Sequence, residues 1–223
     1  MNNEYIFLLH LILLLGSTYA AFFIDRVLLQ ALICIQIVSA NIFIVRQMSL
    51  CGLTACGGGM YIVSSGFGLL LLQTFYSKQI AHRTLYLSFA LTIFFLVLTR
   101  FQLWYVPAPV DTMHQTFFLL LGRVPFITLA SLIAHFCAHY LTLLLQRVLM
   151  SATKGHWLFF VSTASLLIGQ ICDSVLFFGG AFWGYAPLSE IAQMVSVSLL
   201  IKGSMILVSA WLLRFTYYLQ GRR

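Results

Sequence analysis

The sequence predicts an all-α polytopic membrane protein, a helical bundle whose solvent is lipid. Three observations predict it. Of 223 residues, 61% are hydrophobic and 8% are charged, where a soluble domain carries roughly 25% charged residues. Mean hydropathy is +1.00. The apolar residues are gathered in runs of about 20, the length that crosses a bilayer as a helix. Twelve Lys and Arg with five Asp and Glu cannot cover the apolar surface of a soluble domain this size. The same apolar content excludes disorder.

Seven runs are expected to span. Tyr5–Phe23 is interrupted only by His10. Val27–Val45 carries no charge. Gln47–Ser77 is a long uncharged stretch, and its second part, Gly57–Tyr76, is long enough to cross. Thr84 to Tyr105 is interrupted by Arg100. Phe117–Gln146 carries Arg123 near its start. Trp157–Gly184 carries Asp173, and Ile191–Leu213 carries Lys202. Pro107 and Pro109 mark the one long loop, between the fourth and fifth runs. The first run is not expected to be a signal peptide, because it is long, lacks a basic start and is preceded by Glu4.

The net charge of +7 orients the chain. Lys and Arg concentrate on the cytoplasmic side of membrane proteins. With the N-terminus outside, Arg26, Lys78, Arg83, Arg147, Lys154, Arg214, Arg222 and Arg223 fall inside, and only Arg46 and Arg100 fall outside. The expected topology is N-out, C-in. The basic residues flank apolar runs and form no stripe with interleaved aromatics, so no nucleic acid is expected as a partner. The bilayer is.

Cys34, Cys51, Cys56, Cys137 and Cys172 contain no C-x-x-C spacing and read as small buried residues. There is no G-x-x-x-x-G-K-[ST] loop, so any ATP hydrolysis would belong to a separate chain. Gly180-x-x-x-Gly184 has the spacing of close helix packing, within one chain or between two, which leaves a homodimer open.

Ionisable groups within the membrane are costly and usually face a cavity or a partner. Arg123, Asp173 and Lys202 are the three expected within spans. Ser162, Ser165, Gly169 and Asp173 share a helix face, with Gln170 beside it. Ser198, Lys202 and Ser209 make a second stripe, and Ser131, His135, His139 and Thr142 a third. Three such stripes predict a polar cavity between helices, and Asp173 and Lys202 either line it or form a buried ion pair that fixes helix register. His135 and His139 also have the i, i+4 spacing of a metal pair. No acid or cysteine on that face completes a site, so lining a cavity is preferred, with no metal or cofactor expected.

The run Ser165-Leu-Leu-Ile-Gly169-Gln170-Ile-Cys-Asp173-Ser174-Val-Leu-Phe177, followed by Phe182, Gly184 and then Lys202, resembles the C-terminal half of the queuosine precursor transporter family. That family belongs with the putative vitamin uptake transporters. Ala130-Ser131-Leu-Ile-Ala134 is similar to its fifth-helix motif. Asn41, Arg46, Gly52 and Gly58 fall where it has Asn, often Lys, Gly and Gly. The resemblance covers about residues 28–215. The chain departs from the pattern at Val63 and Leu70, where a Pro and an Asp are usual, and at Thr74, where a second acid often stands. It has Phe126 at the position of a fifth-helix Arg, with Arg123 nearby, and His139 and Thr142 where some members have Gln and Asp.

The resemblance implies a bacterial inner-membrane, multi-pass importer of 7-deazaguanine bases (preQ0, preQ1 or queuine) that feed queuosine synthesis in tRNA. No chemistry is implied. Asn41, Gln170, Asp173 and Lys202 match family positions and are implied to contact the base; Ser131 and Ser165 join them from the polar stripes, and Arg123 as an ionisable residue within a span. The implied core is six helices over residues 27–216. Residues 1–26 are then an extra N-terminal helix and 217–223 a short basic tail. Two alternatives remain open: a substrate-binding subunit of an ATP-driven vitamin importer, and a membrane redox or metal enzyme built on His135 and His139.

Overall fold

The computed structural model describes residues 3–44, 46–50, 52–108, 110–122, 125–154, 156–182 and 187–220. It is 87% helical, as the composition predicts. In chain order the elements are α1 (Asn3–Ile24), α2 (Arg26–Phe43), β1 (Gln47–Leu50), β2 (Leu53–Cys56), α3 (Gly59–Phe75), α4 (Lys78–Trp104), α5 (His114–Gly122), α6 (Pro125–Ala152), α7 (Leu158–Phe182) and α8 (Leu188–Gln220). Among the described residues six helices are long and apolar enough to cross a membrane: α1, α2, α4, α6, α7 and α8.

The seventh expected span is α3, which at 17 residues is shorter than those six. The reason lies just before it. The expected third run gives its first part to an antiparallel hairpin, in which Gln47 pairs with Cys56 and Leu50 with Leu53. Gly52 turns it with φ +78, a conformation glycine adopts without steric cost. α3 is also buried from Ile62 through Leu72, so other helices surround it rather than lipid. The expected fifth run begins with α5, and α6 follows from Pro125. Proline suits a first helical position because its missing N–H would be unsatisfied there anyway.

Local signals set the helix starts. Asp25 caps α2 by accepting from Val27 N at 2.6 Å and Leu28 N at 3.0 Å. Ser77 caps α4 by accepting from Ile80 N at 3.2 Å. Such caps satisfy backbone donors that the helix itself leaves free.

The two ends of the bundle are fixed by contacts distant in sequence. At one end, Asn3 Nδ2 donates to Ser49 O at 2.9 Å, tying the start of α1 to the hairpin. At the other end, Thr216 donates to Tyr19 OH at 3.1 Å and Phe22 packs on Phe75, so late α1, late α3 and late α8 meet. Between them α1 lies on α2 and α3 and buries Leu14, Leu15, Thr18, Ala21 and Phe22. The core runs through Leu29, Ile33, Phe67, Leu70, Leu143, Leu166 and Met205. Large apolar side chains point outward along α4 and α7, among them Phe94, Val97, Leu98, Ile168 and Val175. In a bilayer that is the lipid-facing surface, and the exposed aromatics Trp104, Tyr105, Trp157 and Tyr218 sit near helix ends as interfacial anchors do.

Candidate functional site

Asp173 is on α7, 15 residues from its start at Leu158, about 22 Å along the helix. Lys202 is on α8, 14 residues from Leu188 and about 21 Å along. The α7–α8 contact brings the two side chains together. Lys202 Nζ donates to Asp173 Oδ2 at 2.7 Å and to Ser174 Oγ at 3.2 Å. The expected ion pair is therefore present, and it is buried, with Asp173 2% and Lys202 5% exposed.

A third member stands opposite Lys202. His135 of α6 places Nδ1 2.5 Å from Asp173 Oδ1. Its other nitrogen, Nε2, lies 3.1 Å from Ser131 Oγ, which donates to Asn41 Oδ1 at 2.9 Å. Asn41 Nδ2 donates in turn to Ile37 O at 2.8 Å, within α2. One connected network thus runs from α8 through α7 and α6 to α2. Networks of this kind inside a low-dielectric bundle hold their members in one geometry.

The network borders a narrow cleft of about 20 Å3 lined by His135, Asp173, Lys202, Ser198, Cys56 and Phe177, among others. The hairpin forms one wall. Cys56 Sγ reaches Ile44 O at 2.8 Å, and Gly58 and Gly59 bring the start of α3 against α2 and α8. A Cβ on Gly58 would lie 2.8 Å from Ala40 O, and one on Gly59 would lie 3.3 Å from Lys202 Cε. Glycine at these positions is what lets the backbone pass so close to the lysine.

Of the residues singled out in the sequence, Asn41, Ser131, Asp173 and Lys202 come together. Gln170 is fully buried one turn from Asp173, and neither end of its amide has a partner among the described residues. Ser165 donates back to Val161 O at 2.8 Å on its own helix and does not join the network. Arg123 lies outside the described residues. The residue that sequence reasoning undervalued is His135. Its signal was the stripe it shares with Ser131, but its spacing to His139 suggested a metal pair. His135 instead engages Asp173 and Ser131, and His139 Nε2 lies 3.1 Å from Ser65 Oγ. Among the described residues no three His, Cys, Asp or Glu gather as a metal site.

A family model described as putative vitamin uptake transporter matches residues 57–218. That stretch holds Ser131, His135, Asp173 and Lys202 and begins after Asn41. No curated protein and no solved structure matches the chain.

Proposed function

Since the chain belongs to the putative vitamin uptake transporter family, we propose that it imports a purine-like base across the bacterial inner membrane. The substrate class is the queuosine precursors queuine, preQ1 and preQ0. The observation that carries this reading is a buried carboxylate, Asp173, held between two donors at the wall of a cleft. The guanine-like face of these bases offers two adjacent donors, N1–H and the 2-amino group. A carboxylate accepts both at once, in the paired, charge-assisted geometry that gives strength and direction. Each carboxylate oxygen has a second lone pair, so His135 and Lys202 do not exhaust Asp173. Phe177 and Phe178 supply apolar surface beside it. Gln170, one turn from Asp173, has an unpartnered amide that would reach the same ligand only once the helices around it open, since it does not line the cleft in this conformation.

The cleft, at about 20 Å3, is far below the roughly 300–1,000 Å3 typical of ligand sites. The described conformation is accordingly a closed one, and import proceeds by alternating exposure of the site to the two sides. No bond in the substrate is made or broken.

The test is uptake of radiolabelled preQ0, preQ1 and queuine by cells that lack their own transporter and synthesis genes. Uptake of at least one is expected, with guanine competing and adenine competing poorly. A site of buried polar groups rejects a ligand that leaves them unpaired by as much as ~10⁴–10⁵. Equal inhibition by both bases overturns the assignment of the guanine face to Asp173. Repeating the assay with purified protein in liposomes separates a self-sufficient importer from a subunit that needs an ATPase chain.

A further inference from the structure

The hydrogen-bond network around Asp173 leaves one proton to be accounted for. The carbonyl of Ile37 can only accept, so the Asn41 atom at 2.8 Å from it is the amide nitrogen. The amide oxygen therefore faces Ser131, which gives it the single hydroxyl proton at 2.9 Å. That hydroxyl then has only lone pairs to offer His135 Nε2 at 3.1 Å, so Nε2 carries a hydrogen. The contact between Nδ1 and Asp173 Oδ1 at 2.5 Å needs a proton as well. A neutral histidine beside a carboxylate has one proton too few to make both bonds.

His139 shows the opposite state. Ser65 donates to Ile62 O at 3.0 Å, so the 3.1 Å contact from His139 Nε2 to Ser65 Oγ puts the ring hydrogen on Nε2. Its Nδ1 is a bare lone pair, buried and without a partner among the described residues. His139 itself is 1% exposed. Both histidines line a second cleft, of about 10 Å3 and so no larger than one water, which also borders Ser88 of α4. His139 is one turn of α6, about 6 Å, farther from the hairpin end. By the charge distribution that is the cytoplasmic direction.

We infer that the His135–Asp173 contact binds a proton that enters with the substrate, and that His139 accepts it on the cytoplasmic side. This coupling rests on the import reading above. Among the described residues the titratable groups near the pair are Lys202 from α8, Cys56 from β2, Cys172 beside Asp173 on α7 and His139 on α6 itself. Among the described residues, α2, α3 and α4 turn Asn41, Ser65 and Ser88 toward this region, none of which titrates. Lys202 repels a proton on His135, and the Asp173 charge retains it. A base that donates two hydrogen bonds to Asp173 draws on that same charge and loosens the proton. One N–H bond on His135 then breaks and one forms on His139 Nδ1, with a water in the second cleft carrying the proton between them. Chains of buried His and acid residues serve as proton relays in other membrane transporters.

Two measurements test this. The first needs no substrate: ¹⁵N-histidine spectra of the purified full chain at neutral pH, assigned with His135→Gln and His139→Gln. Hydrogen on His135 Nε2 with a proton shared between Nδ1 and Asp173, and a bare Nδ1 on His139, are expected. A bare Nε2 on His135, the usual neutral tautomer beside a carboxylate, overturns the proton site. The second loads liposomes containing the protein with a pH-sensitive dye and adds preQ1, preQ0 or queuine. Acidification with uptake is expected, and one pH unit of inward gradient should support about tenfold accumulation for one proton per base. Uptake without acidification overturns the coupling. No uptake of any base by the purified chain overturns the coupling in favour of a subunit that needs an ATPase chain, no uptake in cells overturns the import reading, and the spectra still decide the proton site.

Discussion

His135 and Lys202 approach different oxygens of Asp173, at 2.5 and 2.7 Å, and this changes what each substitution should do. In a two-member ion pair, removing either partner strands one buried charge, at a cost of about 3–5 kcal/mol. With three members the costs are unequal. Lys202→Met leaves Asp173 bonded to His135 and should cost about 1.5–3 kcal/mol, the range for a hydrogen bond to a charged group. Asp173→Asn leaves two donors facing an amide and should reach the larger figure. Unfolding of both variants in detergent, followed by temperature, checks the order; equal losses would mean that His135 contributes nothing. Asp173→Asn should also abolish uptake at matched membrane expression, because the amide presents a donor to the base's donors. The polar stripes already put Ser131, Asp173 and Lys202 on interior faces. They could not show that His135 bridges them, because helix rotation and the α6–α7 contact are tertiary properties that a periodicity does not contain. Ser165 lies on the right face for the same stripe, yet its hydroxyl is taken by Val161 O, a bond that any mid-helix serine can make.

Helices α6 and α7 make the most extensive contact in the bundle, and Gly169 sets how close they come. A Cβ there would collide with the Thr142 hydroxyl and lie 3.0 Å from Ala138 O. Gly169→Ala should therefore separate the two helices that carry His135 and Asp173, with a loss of about 1–3 kcal/mol. Adding Thr142→Ala should restore part of it, since only the Ala138 carbonyl then remains in the way. Gly179→Ala on the same helix meets nothing within 4 Å and serves as the neutral comparison. Melting temperatures of the three variants in one detergent check this, and equal losses for Gly169→Ala and Gly179→Ala would refute the crossing argument. Most of the helices were legible from length and hydropathy because a bilayer imposes both on a spanning segment. The hairpin was not. Residues 47–56 are apolar enough to continue a helix, and the pairing that diverts them depends on contacts with α1, α2 and α8 that the local sequence does not specify.

Across the whole molecule, the site lies where α2 and α3 stop short and the hairpin fills the remaining length. The hairpin end also holds the start of α1, through Asn3 and Ser49. The opposite end gathers Tyr19 and Thr216, late in the first and last helices. The chain therefore begins and finishes at opposite ends of the bundle, as an odd number of passes requires. Which end faces the cytoplasm follows from charge. The end with Tyr19 and Thr216 is the one near Arg26, Lys78, Lys154 and Arg214, each at or close to a helix terminus there. The hairpin end has Arg46. Basic residues in short loops resist translocation, so the first of these ends is expected inside. A reporter that matures only in the cytoplasm should be active when fused after Arg223, and one that matures only outside should be inactive there. The same pair fused into the hairpin turn at Gly52 should give the reverse pattern. The second fusion matters because it tests the site as well as the terminus. If both fusions report the cytoplasm, the number of passes between them is even. The hairpin, α3 and the cleft against Lys202 would then have to open toward the cell interior. Import would begin from the far side of the site, and His139 would lie on the entry side of the proton path.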